Sequence, residues 1–377
     1  MQDYISLLIH NKRIEKGYSL ESLSKGICSV SYLSKLENGT ITIKEDIVDL
    51  LLKKLDLNIN DDLGKLSTKV DSFYNSFTLF IIDQVNFFTD KEINTLLNSR
   101  LFLDALIIKA WQSESNIDEL AYYEKYFSFR QKKRYYQILV YENKKDYDEL
   151  LANFPEIDTY AIIAQSLYRK GAYTRSIPYF IYYFELACKQ CDVDNMINAQ
   201  FGLGNVYACL FDMETCIKEY DNTIKLIGSN YSYLKNYIYY NIGATYTELE
   251  EYDKALEYLN KVEDNNVLYY QKLALCYRGI KDYKKAYKAL ECGYKKGIKE
   301  SYILDYIKYS LDHDSYLNDE EYGNILIDTL SKIKKEMPHG FYNLYQKELL
   351  KYYEANRKYK DAYILLKNIH DNPCLKQ

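Results

Sequence analysis

The sequence predicts an all-α protein in which a small domain of short helices precedes a long array of helical pairs. Only 4 prolines and 14 glycines occur among 377 residues, so long stretches contain no helix breaker. Two short apolar patterns with helical spacing lie close together near the N-terminus, and a phrase built around an aromatic residue recurs along the rest of the chain. Because the chain exceeds the usual length of one domain, two regions are expected.

The stretch from residue 19 to residue 39 predicts two short helices joined by a tight turn. Ser19 is placed to cap the first helix, Gly26 to end it and Ser29 to cap the second helix. In the second helix, apolar residues three and four positions apart can pack inward. The opposite face then carries small or polar side chains, namely Val30, Ser31, Ser34 and Lys35.

This segment resembles the Xre/Cro-type helix-turn-helix family, because amphipathic helices flank the pair and the run Leu33 to Gly39 (LSKLENG) is typical of that family. We expect the domain to span residues 1–62. The resemblance implies that the second helix enters the major groove of DNA. It assigns DNA contacts to Ser29, Val30, Ser31, Ser34 and Lys35, with Arg13 and Lys44 flanking the phosphate backbone. The alternative is an ordinary helical hairpin with a solvated Ser/Lys face.

The stretch 63–72 is the best candidate for a linker, because it is polar and contains Gly64. Beyond it, residues 73–377 are expected to form one repeat domain. The first part of that domain, up to about residue 130, has helical periodicity but no clear copy of the repeat.

The recurring phrase places an aromatic residue or Met at the start of the second helix of each pair, and a small or apolar residue three positions later. Its copies centre on Tyr147, Tyr173, Met213, Tyr252, Tyr283, Tyr322 and Tyr359. In the first helices, small residues mark where neighbouring helices touch, at Ala164, Gly204, Gly243 and Ala274. The pattern resembles the tetratricopeptide repeat over roughly residues 130–370, although the proline usual at the end of that repeat is missing. The resemblance implies a right-handed superhelix.

The concave face of such a superhelix, lined by the first helices, suits an extended peptide. Asn and Gln amides offer a donor and an acceptor together, as a peptide backbone requires. The predicted peptide-binding residues are Gln165, Asn198, Asn205, Tyr240, Asn241, Gln271 and Arg278. For any one of them, a solvated role or a role within the repeat is the alternative.

Composition excludes several classes of function. The net charge of −5 argues against a protein that coats nucleic acid by electrostatics alone. The 4 histidines are scattered, and no phosphate-binding loop or nucleophile motif occurs, so we expect no enzyme, no cofactor and no metal. The 8 cysteines lack a disulfide-scaffold spacing, and the pair Cys188 and Cys191 is expected to be structural, with redox sensing or metal binding as the alternatives. No leader and no apolar run of membrane length occurs, which predicts a cytoplasmic protein without membrane contact.

The order of the two regions resembles the peptide-responsive quorum-sensing regulators of Firmicutes, the Rap, Rgg, NprR, PlcR and PrgX group. The stretch from Gly26 to Ser34 (GICSVSYLS) is close to that of PlcR-like members. The resemblance implies a homodimer, a short signalling peptide in the groove, and transcription regulation at an inverted-repeat operator in double-stranded DNA. The alternative is a repeat scaffold that regulates a protein partner, with DNA binding secondary or independent of ligand.

Overall fold

The computed structural model describes residues 3–41, 44–57, 63–75, 88–113, 117–228, 231–263, 266–297, 299, 301–337 and 341–370. Every regular element in these ranges is a helix, and none is a strand. The predicted fold class, a helix-turn-helix domain followed by helical repeats, is confirmed. None of the described helices is long and apolar enough to span a bilayer. The chain divides into two compact units, residues 1–155 and 156–377.

The first unit begins with four helices, α1 (Asp3–Glu15), α2 (Leu20–Ser24), α3 (Val30–Glu37) and α4 (Glu45–Lys54). Both predicted caps are present, since the hydroxyl of Ser19 accepts from the backbone N–H of Ser22 and that of Ser29 from Tyr32. The helices enclose a core of Leu and Ile side chains. Local sequence signals therefore placed these helices correctly.

The described residues of the first unit form six more α-helices: α5 (Lys65–Asn75), α6 (Asp90–Leu97), α7 (Phe102–Ser113), α8 (Ile117–Tyr123), α9 (Phe129–Tyr141) and α10 (Asp148–Asn153). Helix α5 covers most of the stretch 63–72 that we expected to be a linker. The reason is a pair of apolar residues three positions apart, Val70 and Phe73, which are both buried. The guanidinium of Arg134 in α9 stacks on the ring of Phe73 and donates to its carbonyl oxygen, which fastens α5 to α9.

In the part of the second unit that the structure describes, the α-helices follow one another as six pairs. The first helices of the pairs are α11 (Ile157–Arg169), α13 (Val193–Cys209), α15 (Ser232–Glu248), α17 (Val267–Gly279), α19 (Tyr302–Asp312) and α21 (Tyr342–Ala355). The second helices are α12 (Tyr173–Gln190), α14 (Met213–Ile227), α16 (Tyr252–Leu259), α18 (Tyr283–Lys296), α20 (Glu320–Glu336) and α22 (Tyr359–His370). Each pair packs against the next, which is how a solenoid buries its apolar faces.

The repeat phrase predicts the starts of the second helices correctly in five pairs, where the aromatic residue or Met is the first residue of the helix. The residue two positions earlier has a positive φ in all five, at Gly171, Phe211, Glu250, Lys281 and Arg357. The small residue three positions after the helix start is buried in each pair, at Ser176, Cys216, Ala255, Ala286 and Ala362. Tight turns of one geometry thus separate the helices of these five pairs.

The small residues predicted at helix contacts lie at close crossings. A Cβ atom on Gly204 would lie 2.5 Å from the ring of Tyr220, and one on Gly243 would lie 2.7 Å from the side chain of Leu259. Both partners belong to the second helix of the same pair, and both are fully buried. The two helices of each pair can approach this closely only because the glycine has no side chain.

We predict that Gly204→Ala destabilises the second unit by about 1 to 3 kcal/mol, because the added methyl group overpacks the contact with the ring of Tyr220. The measurement is urea unfolding followed by circular dichroism. Lys218→Ala on the exposed face of α14 is the control and should change stability little. Equal stability of Gly204→Ala and the native protein would contradict the packing argument.

Candidate functional site

The exposed face of α3 carries the residues predicted to read DNA. Val30, Ser31 and Lys35 are exposed and Ser34 is half-buried, whereas Leu33 and Leu36 on the opposite face are fully buried. Ser29 at the helix start is exposed too, although its hydroxyl oxygen caps the helix. The face is small, polar and convex, which fits the width of a major groove.

The lysines of this domain fall into two groups. In the described part of the domain, four exposed lysines form no ion pair, namely Lys25, Lys35, Lys44 and Lys53. The others are engaged within the domain: Lys12 pairs with Glu15, Lys16 pairs with Asp56, and Lys54 donates to carbonyl oxygens at the end of α2. Because residues 1–62 carry 8 Lys and Arg against 10 Asp and Glu, a net charge of −2, these four lysines are the positive charge that the domain has available for phosphates.

Arg13 does not occupy the place expected for a phosphate contact. It is buried, and its guanidinium forms two hydrogen bonds to the carboxylate of Glu37, of 2.7 and 2.8 Å, and one to the carbonyl oxygen of Tyr18. Burial alone would raise the pKa of Glu37. The hydrogen bonds and positive charges of Arg13 and His10 together have the larger effect, so the pKa lies below its usual value. Arg13 joins α1 to the end of α3 and is removed from the set of DNA-facing residues.

We predict that Arg13→Met destabilises the DNA-binding domain by about 3 to 5 kcal/mol, because Glu37 would be left buried without its ion-pair partner. Since the pKa of Glu37 is lowered in the folded state, the contribution of the pair is present above the unfolded pKa and declines as the pH falls below it. The measurement is thermal unfolding of the two proteins at neutral and acid pH. If the stability difference between the native protein and Arg13→Met were larger at acid pH than at neutral pH, the ion-pair role of Arg13 would be contradicted.

The second unit contains a cavity that opens to solvent, with an empty volume of about 730 Å³ that includes open solvent. Helices α13, α15 and α17 form one wall, and residues at the start of α21 form another. Aromatic and amide side chains dominate the lining. The lining residues that bear on function are Tyr168, Asn205, Phe211, Tyr220, Tyr240, Asn241, Thr245, Glu248, Gln271, Lys272, Phe341, Asn343, Leu344 and Tyr345.

Two asparagine amides and one tyrosine form a hydrogen-bonded group in this wall. Asn205 Oδ1 accepts from the Tyr220 hydroxyl at 2.6 Å and from Asn241 Nδ2 at 2.8 Å. Within the described residues, the donor group of Asn205 and the acceptor oxygen of Asn241 have no protein partner. The network therefore orients both amides and leaves one donor and one acceptor for a guest.

Tyr240 adds an unused hydroxyl to the same cavity. Its oxygen is buried and finds no hydrogen-bond partner among the described residues. Burial, and next the nearby carboxylate of Glu248, raise the pKa of Tyr240, so the phenol stays protonated and can donate. An unsatisfied buried hydroxyl is costly, and a guest carbonyl oxygen would satisfy it.

Glu248 and Lys272 are the charged residues among those that line the cavity, and they pair with each other at 3.0 Å. Both side chains are largely buried. Gln271 also lines the cavity, but its amide nitrogen donates to the carbonyl oxygen of Ile303 and to the hydroxyl of Tyr345. The cavity thus presents a wall without net charge.

A cluster of ion pairs holds α21 against the end of α15 next to the cavity. The carboxylate of Glu250 is 2.8 Å from Lys347 Nζ and 3.0 Å from Lys351 Nζ, and Lys347 also donates to the carbonyl oxygen of Glu248. Hydrogen bonds from these two lysines lower the pKa of Glu250 to about 2. Contacts between residues about a hundred positions apart therefore bring the start of α21 to the cavity.

Of the seven predicted peptide-binding residues, four line this cavity: Asn205, Tyr240, Asn241 and Gln271. Gln165, Asn198 and Arg278 are not among its lining residues. Arg278 is engaged elsewhere, where it donates to Ser310 at 2.8 Å and pairs with Glu348 at 3.3 Å. Burial lowers the pKa of Arg278, but Glu348 and the nearby tyrosines together raise it above its usual value. Arg278 is therefore a helix-packing residue in this structure.

Sequence reasoning missed the wall that α21 provides and the Glu248–Lys272 pair. The repeat pattern was the sequence signal that could have indicated α21 as a wall of the cavity. Leu344 and Tyr345 lie in the first helix of a pair, as do Asn205 and Asn241. The period of the repeat does not say how strongly the array curves. For that reason the sequence could not predict that α21, the first helix three pairs after α15, lines the same cavity.

Comparisons with known proteins agree with both parts of this description. Residues 9–61 match the helix-turn-helix family. A Rap protein solved in complex with Competence and Sporulation Factor is similar to 82% of this chain and 97% of its own, with a TM-score of 0.55 and 13% identity. The resemblance inferred from the sequence is thereby confirmed for the N-terminal domain and for the helical fold. The class is a helix-turn-helix domain joined to a Rap-like helical array.

Two further solved structures align with nearly the whole chain at lower similarity. The Rap conjugation gene regulator of the plasmid pLS20, in complex with the Phr* peptide, covers 100% of this chain and 99% of its own at 14% identity and a TM-score of 0.45. Bacillus thuringiensis PlcR, in complex with the peptide PapR7 and DNA, covers 97% and 99% at 14% identity and a TM-score of 0.22. At these TM-scores, neither establishes a shared arrangement of helices. Sequence comparison with curated proteins finds no match.

Proposed function

We propose that this protein is a DNA-binding transcriptional regulator whose operator binding is modulated by a short signalling peptide held in the cavity of the second unit. The observation that carries the proposal is the helix-turn-helix domain with its exposed α3 face, in a chain that also contains an amide-lined cavity. The proposed regulator is cytoplasmic and works without catalytic activity, cofactor or metal.

Operator recognition would use α3 in the major groove, with Ser31, Ser34 and Lys35 toward the base edges. Lys44 and the exposed lysines around the face would contact phosphates. Because one domain carries so few free cations, a single copy would bind weakly. A homodimer on an inverted-repeat operator would supply two such faces, and the half-sites would lie about 34 to 36 Å apart or at multiples of that distance.

Peptide recognition would use the pre-oriented amides of Asn205 and Asn241 on the peptide backbone and the hydroxyl of Tyr240 on a peptide carbonyl. Phe211, Phe341 and the other apolar lining residues would surround its side chains. Since Glu248 and Lys272 neutralise each other, the buried part of the peptide would be uncharged or would carry groups that join this ion pair.

Coupling would follow from unequal affinity of the peptide for two curvatures of the helical array. A coupling free energy of about 1 to 3 kcal/mol would change operator affinity by about 5- to 150-fold.

We predict that Lys35→Glu abolishes specific operator binding, because it removes a positive charge and places a negative one on the groove-facing surface. The measurement is a footprint on genomic fragments selected by the native protein, with circular dichroism to verify the fold. Lys218→Glu in the second unit changes charge equally and should leave the footprint intact. An unchanged footprint for Lys35→Glu would remove α3 from the reading role and would favour a scaffold that binds a protein partner.

We predict that Tyr240→Phe weakens peptide binding about 3- to 10-fold without loss of stability, because the hydroxyl has no protein partner to lose. Replacing Asn205 and Asn241 together by Ala should weaken it further while basal DNA binding persists. The probe is a short synthetic peptide selected on the native protein from a display library, and calorimetry gives its affinity. Lys218→Ala serves as the matched surface control.

Undiminished peptide affinity in both variants would place the peptide site outside this cavity. Asn205 and Asn241 also form hydrogen bonds with Tyr220. The peptide affinity of the double variant is therefore compared only after urea unfolding has shown that its second unit is folded. Tyr240→Phe does not depend on that condition.

A further inference from the structure

The apolar core of the DNA-binding domain is not closed by that domain's own helices. Phe102 and Leu103, at the start of α7, belong to the same buried cluster as Leu7, Leu8 and the leucines of α3 and α4. Their exposed fractions are 3% and 5%, comparable to those of residues inside the domain. The core therefore runs from the helix-turn-helix domain into the helices that follow it in the first unit.

A ring of aromatic residues borders this contact. Leu106 in α7, Tyr123 at the end of α8, and Tyr126 and Phe127 just beyond α8 pack against the cluster. Phe102 and Tyr123 meet edge to face with ring centroids 6.3 Å apart. The Tyr123 hydroxyl accepts a hydrogen bond of 3.1 Å from Asn11 Nδ2 in α1. A directional polar contact thus accompanies the apolar one.

Helix α7 is itself fixed to the remainder of the first unit. The guanidinium of Arg134 in α9 lies over the ring of Trp111 in α7 at 4.9 Å and over Phe73 in α5 at 4.8 Å. Two helices thus hold α7 through one buried cation. Whatever packs on the start of α7 is consequently held in orientation relative to α5 and α9.

The contact leaves the DNA-reading face uncovered. Val30 and Lys35 remain exposed, although the first unit as a whole has buried the opposite side of α3. The domain can therefore present α3 while it stays packed on α7 and α8.

We propose that Phe102, Leu103 and Tyr123 form a seat that fixes the orientation of the DNA-binding domain, and that this seat sets the half-site spacing the protein accepts. The proposal rests on the proposed DNA-binding function and assigns positioning roles to residues outside the helix-turn-helix domain. A seated domain reads half-sites at one separation and one helical phase, whereas a domain held only by its covalent connection tolerates many separations.

The test uses the full-length protein and operator DNAs that carry two half-sites or only one. Lengthening the spacer by about 5 base pairs, half a helical turn, should reduce the affinity of the native protein at least about tenfold. In Tyr123→Ala and in Leu103→Ala this penalty should shrink to about threefold or less, while the affinity for a single half-site stays the same. An unchanged spacer penalty in both variants would overturn the seat.

The matched control is Tyr122→Ala, because the Tyr122 side chain is 57% exposed and lies beside Tyr123. It should behave as the native protein does. Amide hydrogen exchange of α1 supplies a readout that needs no DNA: exchange should rise in Tyr123→Ala and not in Tyr122→Ala. Absence of operator binding by the native protein would contradict the proposed DNA-binding function. Equal exchange of α1 in Tyr123→Ala and Tyr122→Ala would contradict the seat and leave the DNA-binding function untouched.

Discussion

The close contact between Gly204 and the ring of Tyr220 links the fold of the second unit to its cavity. Because Gly204 has no Cβ atom, α14 can lie against α13 with the buried ring between them. That position brings the Tyr220 hydroxyl to Asn205, and Asn205 in turn to Asn241. The crossing that allows the helices to pack is thus also what orients the two amides toward the cavity.

Charged side chains have different roles in the two units. In the DNA-binding domain, Arg13 and Glu37 form a buried pair that joins two helices, whereas Lys25, Lys35, Lys44 and Lys53 are exposed and form no ion pair within its described residues. In the second unit, Glu250 with two lysines holds α21 near the end of α15, and Glu248 with Lys272 leaves the cavity without net charge. Partners within the fold decide which charges remain available to DNA or to a ligand.

Local features of the sequence predicted most of the fold. The caps Ser19 and Ser29, the starts of five second helices, and the glycines at two helix crossings each depend on neighbours a few positions away, and the structure has them as predicted. The sequence did not predict that Arg13 would be buried, because its partner Glu37 is 24 positions away. It also did not predict the wall from α21, which depends on the curvature of the array. The apolar pair Val70 and Phe73 was outweighed by the polar composition around it, so α5 was expected to be a linker.

The central claim is that a guest in the cavity and an operator on α3 influence each other through one protein. Linkage requires that peptide change operator affinity and that operator change peptide affinity by the same factor. The most direct measurement is therefore the affinity of the selected peptide for the full-length protein, alone and saturated with operator DNA, by calorimetry. We expect a difference of about 5- to 150-fold. Identical peptide affinities in the two states would contradict the account, even if both ligands bound tightly.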